Sequence, residues 1–272
     1  MKILISVDIE GIAGVFHPEQ VRPGNPEYER ARRLMTAEAN AVIEGALAGG
    51  ASEILVNDSH GGFRNLLPDL LHPAASQILG KPRLLGMMSG VEIGVDGVMM
   101  VGYHGRAQSR GVLAHTINGF SFARIWLNDQ ELGEAGIYGA LAGEFGVPVI
   151  FGSGDDVFVA ENQPLFPHAT LVGVKTAQGA NSGISLSPQS ALTLLKDGAA
   201  TAIGKLKDAH PFTLQPTIKC KLQTQSPALA DLFCQLPMLN RVDGVNLEFE
   251  APSVQYAVRI LNSLSAMSFM LR

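Results

Sequence analysis

Six side chains in this sequence could do chemistry together. Asp8 and Glu10 follow an apolar run at residues 3–7, His60 closes the stretch 53–59, His104 closes the stretch 97–103, Glu134 opens a helical pattern, and His115 lies in Gly111-Val112-Leu113-Ala114-His115-Thr116. Side chains two apart on an extended chain point the same way, so Asp8 and Glu10 present two carboxylates side by side. Held that close they repel, unless one is protonated or a cation lies between them. We read a cation. Imidazole with carboxylate is the ligand set of zinc and its first-row neighbours. With five candidate ligands, Asp8, Glu10, His60, His104 and Glu134, a carboxylate-bridged pair of ions is more natural than one overfilled ion. Such a pair suits hydrolysis, because it lowers the pKa of bound water and holds both the attacking oxygen and the developing oxyanion. His115, at a mobile loop position, suits an acid, a base or a nucleophile. Each residue also has a plainer reading: a solvated acidic loop, hydrogen-bonded loop histidines, a Glu134 favoured only by a helix dipole. Their joint occurrence at equivalent strand ends is what points to metal.

The elements that must position these residues repeat one pattern. Residues 3–7, 53–58, 97–101 and 147–151 are short apolar runs whose carboxyl ends turn abruptly polar, and strands of this kind alternating with helices indicate a parallel sheet with right-handed crossovers. Ligands bind at the carboxyl edge of such sheets. Between the first two runs, Ala31, Leu34, Met35, Val42 and Ala46 share one helical face, and Gly49-Gly50 ends that helix. Residues 122–127 with Asn128-Asp129-Gln130 read as a hairpin, and a helix follows from Glu134 to about Phe145. Beyond Asp156 the spacing predicts a strand at 171–175, a Gly/Ser/Asn loop at 178–185, a helix from Ser187-Pro188 to about 207, half-exposed strands at 217–223 and 242–250, and a closing helix at 253–271. The expected fold class is α/β, a mostly parallel sheet with crossover helices plus a smaller C-terminal α+β domain. The expected division is a metal-binding domain at 1–165 and the smaller domain at 166–272.

Composition narrows the function classes. A net charge of -5 without a basic run argues against nucleic acid or an anionic membrane as partner. No stretch approaches the roughly 18 apolar residues needed to span a bilayer. The amino-terminal run is too short for a signal-peptide core and is closed by Asp8, so a cytoplasmic location is expected. Cys220 and Cys234 are too few for a disulfide framework or a thiolate site, which leaves oxygen and imidazole as metal ligands.

Ser-Val-Asp-Ile-Glu-Gly-Ile-Ala-Gly at 6–14, Tyr-Glu-Arg-Ala-Arg at 28–32, Met-Thr-Ala-Glu-Ala-Asn at 35–40, Val-Asn-Asp-Ser-His at 56–60, Leu-His-Pro at 71–73, Val-Gly-Tyr-His at 101–104 and Gly-Glu at 133–134 occur in order. Together they resemble the DppA-type zinc D-aminopeptidases, peptidase family M55. The resemblance implies an aminopeptidase with two zinc ions per subunit that acts on short peptides, D-alanine peptides above all. It implies Asp8 as the bridging carboxylate, Glu10 and His60 as ligands of one ion, His104 and Glu134 as ligands of the other, and His115 as the catalytic histidine. It further implies a homodecamer of two stacked rings with the active sites facing an inner chamber. Asp58, Ser59 and Asn118 are candidates for orienting the ligands. Two other readings use the same residues: a different dinuclear metallohydrolase, such as a phosphoesterase or nucleosidase, and a ligand-binding module without catalysis.

Overall fold

Twelve strands and six helices make up the chain in a computed structural model covering all 272 residues. In chain order the strands are β1 (Lys2–Val7), β2 (Glu53–Asp58), β3 (Ala75–Ile78), β4 (Gly97–Val101), β5 (Phe122–Leu127), β6 (Gln130–Glu131), β7 (Val149–Asp155), β8 (Thr170–Gly179), β9 (Ser182–Ser185), β10 (Ile218–Thr224), β11 (Asn240–Arg241) and β12 (Asn246–Ala251). The helices are α1 (Pro26–Ala48), α2 (Glu134–Glu144), α3 (Asp156–Asn162), α4 (Pro188–Gly204), α5 (Pro227–Phe233) and α6 (Val254–Met267).

Seven strands form one sheet in the order β3-β2-β1-β4-β7-β8-β9, parallel throughout except for the β8–β9 pair. The other five form an antiparallel sheet in the order β11-β12-β10-β5-β6. β1 is buried on both faces because its side chains alternate between two cores. Ile3, Ile5 and Val7 join Val42, Ile43, Leu195 and Ala199 of α1 and α4, while Leu4 joins the larger core built from the second sheet, α2 and α6. Each fully buried aliphatic side chain contributes about 1.5–3 kcal/mol, so the β1 core fixes the register of the strands on either side of it. Asn25 starts α1, its side chain accepting the Tyr28 amide at 3.0 Å, with Pro26 at the first helical position.

The chain builds β1, β2 and β3 outward in one direction, then returns to place β4 on the other side of β1. That reversal opens a crevice at the carboxyl ends of β1 and β4, where open α/β sheets bind ligands.

Three details differ from the sequence reading. Residues 178–185, expected as a loop, form the end of β8 and the edge strand β9, because backbone pairing with residues 175–179 replaces the apolar signal that the Gly/Ser composition lacks. Strands β3 and β11 and helices α3 and α5 are short elements without a distinct periodic signature. Sheet membership also crosses residue 165: β8 and β9 complete the parallel sheet, whereas β5 and β6 pair into the antiparallel one.

Candidate active site

Three adjacent strands deliver the first ligand candidates to one edge. Val7 lies in register with Asp58 on one side and Val101 on the other, so Asp8, His60 and His104 leave the sheet beside one another. Glu10 arrives differently from the sequence expectation. β1 ends at Val7, and a turn rather than strand alternation brings Glu10 back beside Asp8. That turn is fastened to β4 by the Asp8 amide donating to Val101 O at 2.8 Å and the Gly11 amide to Gly102 O at 2.7 Å. A β-carbon on Gly11 would overlap the Tyr103 carbonyl, and one on Gly102, which has φ +68°, would overlap the Asp8 carbonyl. Only glycine permits this approach.

Each histidine is oriented from behind. His60 Nε2 lies 2.8 Å from Val21 O, His104 Nδ1 lies 3.0 Å from Gly105 O, and His115 Nδ1 lies 3.0 Å from Leu113 O. Donation to those carbonyls assigns the tautomers and leaves the opposite ring nitrogen of each facing a carboxylate. His60 Nδ1 is 3.3 Å from Asp8 Oδ1 and 3.0 Å from Glu10 Oε2. His104 Nε2 is 3.5 Å from Asp8 Oδ2 and 3.6 Å from Glu134 Oε2, and His115 Nε2 is 3.5 Å from Glu134 Oε1. Asp8 therefore offers one oxygen to each of two imidazoles.

Burial and the charge of Glu10 push the Asp8 carboxyl above its ordinary value. Burial acts the same way on Glu10, but the charge and contact of His60 outweigh it and hold Glu10 well below the usual range. His60 and His104 are pushed down by burial and more than restored by the carboxylates facing them, ending well above an ordinary imidazole. The cluster thus pulls positive charge into its centre.

A cation fits there. Glu10 Oε2 and His104 Nε2 are buried with no hydrogen-bond partner, although each lies at ion-pair distance from its neighbours. Ligand atoms of Asp8, Glu10 and His104 lie within 4.8 Å of one another, as do those of His104, His115 and Glu134. Four of the nitrogen–oxygen separations, 3.3–3.6 Å, match the spacing of about 3.3–3.6 Å between two ligands that share a tetrahedral zinc at roughly 2.0–2.2 Å, and the His60–Glu10 pair is shorter at 3.0 Å.

Glu134 opens α2, where the helix dipole favours it, yet its carboxylate is also used by the loop, accepting the Ile117 amide at 2.6 Å. The His115 loop is pinned rather than mobile. The Val112 amide donates to Asp155 Oδ2, the Leu113 amide to Ala180 O and the Ala107 amide to Thr116 Oγ1. Leu113 and Ile117 on either side of His115 both have positive φ, an uncommon conformation for side chains of their shape. The hydrogen bonds around the loop hold it there.

Asp58 accepts the amides of Asn65 and Leu66, and the Asn65 side chain donates to His60 O, so Asp58 fixes the loop that carries His60. Ser59 shares a buried network with Ser6, 2.6 Å away, and Ser6 also meets the Tyr103 hydroxyl at 2.7 Å. Asn118 ties the His115 loop to Ser265 and Ser268 at the end of α6.

Two residues that sequence reasoning missed hold the Glu10 turn. Lys175 on β8 is buried and donates through Nζ to the carbonyls of Glu10 at 2.5 Å, Ile12 at 3.1 Å and Val15 at 2.5 Å. Glu38 on α1 accepts the Ala13 amide at 2.8 Å. Glu38 had a readable signal, since it sits on the apolar stripe with Met35, Ala39 and Val42 where an acid is out of place.

The cluster forms one wall of a cleft of about 730 Å³, lined by Asp8, His60, His115 and Glu134 together with Phe63, Lys81, Arg83 and residues of α6. A cleft of this size accommodates a small molecule or short peptide.

The model of the M55 peptidases, described as D-aminopeptidase, matches residues 1–263. This chain belongs to the M55 peptidase family. A D-aminopeptidase of Bacillus subtilis (strain 168) is 33% identical over 274 aligned positions, covering 99% of this chain and 96% of the relative. The solved structure of the Zn-dependent D-aminopeptidase DppA from Bacillus subtilis, a self-compartmentalizing protease, superposes with a TM-score of 0.96 at 31% identity, covering 99% of this chain and 98% of the other. The M55 assignment makes this chain an aminopeptidase acting on peptides.

Proposed function

We propose that this M55 member is a zinc-dependent enzyme that binds two zinc ions per subunit and removes the amino-terminal residue, D-alanine above all, from short peptides. Asp8, Glu10 and His60 would hold one ion, and Asp8, His104 and Glu134 the other. The observation that carries the reading is Asp8 itself, whose two oxygens face separate imidazoles, each already oriented by a backbone carbonyl. Bound zinc supplies Lewis acidity toward the scissile carbonyl and toward water.

His115 is the group left to move protons. Its Nδ1 is committed to Leu113 O, and Nε2 faces the cleft beside Glu134. In this reading Nε2 accepts the proton of the attacking water and delivers it to the leaving amine, so that peptide and water become a free amino acid and a shortened peptide. Glu134 Oε1 stabilises the protonated ring between those two events.

We further place the enzyme in the cytoplasm as a homodecamer. Both cysteines are free thiols, as suits a reducing compartment, and the structurally similar DppA is self-compartmentalizing. No helix is long and apolar enough to cross a membrane. The test is to strip metal, restore zinc, and assay dipeptides with D- or L-amino termini alongside phosphate esters and nucleosides. Zinc-restored cleavage of D-Ala-D-Ala alone, at two zinc ions per subunit, is the expected result. Turnover of a phosphate ester or nucleoside in place of peptide overturns the reading.

A further inference from the structure

The cleft carries two cations that the hydrolytic chemistry does not use. Lys81 Nζ lies 4.4 Å from the centroid of the Phe63 ring, and the Arg83 guanidinium carbon lies 3.8 Å from the same centroid. All three residues line the cleft together with Asp8, His115 and Glu134. Neither cation has an acidic partner within ion-pair distance. Arg83 is anchored instead by neutral acceptors, Asn57 Oδ1 at 2.6 Å and Asp58 O at 2.5 Å, and its Nε is buried with no partner. Its guanidinium is therefore fixed in place without a direct ion pair, the Asp58 charge acting on it only through space. Lys81 is the more exposed of the two. Burial and the Arg83 charge lower its affinity for a proton, with the more distant Glu134 carboxylate acting in the opposite direction.

Two like charges held this close leave an electropositive patch that an anion would complete. The only carboxylates lining the cleft, Asp8 and Glu134, belong to the histidine cluster. An anion completing the patch would therefore come from the ligand. A short peptide positioned for removal of its first residue carries one, its own terminal carboxylate, a residue or two beyond the scissile bond and so about 3–7 Å further along an extended chain.

We propose that Lys81, held against Phe63 beside the fixed charge of Arg83, binds the free C-terminal carboxylate of the substrate, so that the enzyme selects di- and tripeptides ending in a free acid. This rests on the aminopeptidase reading of the same cleft. Phe63 contributes a cation–π surface against which the Lys81 ammonium is held. Asn262 and Ser265 of α6 supply neutral polar groups in the same cleft.

The experiment compares D-Ala-D-Ala with its C-terminal amide, using zinc-loaded wild type, Lys81→Met and Lys81→Arg. Wild type is expected to cleave the acid with a kcat/KM about ten- to a hundredfold above the amide, the range of a charge-assisted hydrogen bond. Lys81→Met is expected to lose that advantage through KM, bringing the acid and the amide to similar kcat/KM, and Lys81→Arg to retain most of it. Equal wild-type cleavage of acid and amide overturns the carboxylate assignment alone, as does a Lys81→Met loss that is the same for both substrates. Failure of wild type to cleave either peptide overturns the aminopeptidase reading, and this proposal with it.

Discussion

The imidazoles of His104 and His115 stack, their centroids 4.2 Å apart and their planes 13° from parallel. His104 is buried and turns Nε2 toward Asp8 and Glu134, whereas His115 lines the cleft and is held by a loop carbonyl. In the proposed mechanism the stack separates a ring that holds metal from one that exchanges protons with substrate. His115→Ala is therefore expected to lower kcat by about a hundred- to ten-thousandfold, the range for losing a general acid–base group. Zinc content, measured by elemental analysis, should stay at the wild-type value. Loss of zinc in step with activity would instead make His115 a ligand.

Asp8→Ala removes the carboxylate shared by both imidazoles. Nearly complete loss of zinc is expected, together with loss of any rise in melting temperature on adding zinc, a rise expected of the wild type. Calorimetry with and without added zinc checks this, and an unchanged metal content would reduce Asp8 to a structural acid.

Lys175→Met leaves three buried carbonyls of the Glu10 turn without their donor. The cost is on the order of 3 kcal/mol or more, because each unpaired buried group loses hydration without compensation. Urea unfolding measures that loss. Weaker zinc retention in the variant, at temperatures where it remains folded, is the accompanying outcome if the turn positions Glu10.

Glu38 makes stability depend on pH. Burial raises its carboxyl to about 7, with the Ala13 amide and the Lys175 charge acting in the opposite direction. The folded chain therefore holds a proton that the unfolded chain has released, and the stability this gives is full below the unfolded value near 4.5 and is lost as pH rises through about 7. Glu38→Gln removes the titration. Its stability relative to wild type should climb by up to about 3 kcal/mol between pH 4.5 and 7.5, read from paired urea curves, and a flat difference would show Glu38 ionised throughout.

Much of the parallel sheet and of the histidine–carboxylate cluster is legible in the sequence. The ends of β1, β2 and β4 announce themselves because apolar runs give way to Asp8, His60 and His104 at matching places, and the parallel register then brings those places together. What the sequence hides is whatever depends on distant pairing. β5 meets β10 across some ninety residues, and β9 becomes a strand only because β8 offers it a partner. Lys175 belongs to the same class, since its acceptors lie at positions 10–15 and no local pattern connects them. The pinned His115 loop is equally non-local, its restraints coming from Asp155, Ala180 and Glu134.

The contact between Gly11 and Gly102 has a bearing on how this centre could diversify. Because the two backbones touch there with no side chain between them, the scaffold beneath the ligands is defined by main-chain atoms, which point mutations at the neighbouring positions leave in place. Replacing one of the proposed ligands should therefore change metal binding while the platform on which it stands keeps its shape.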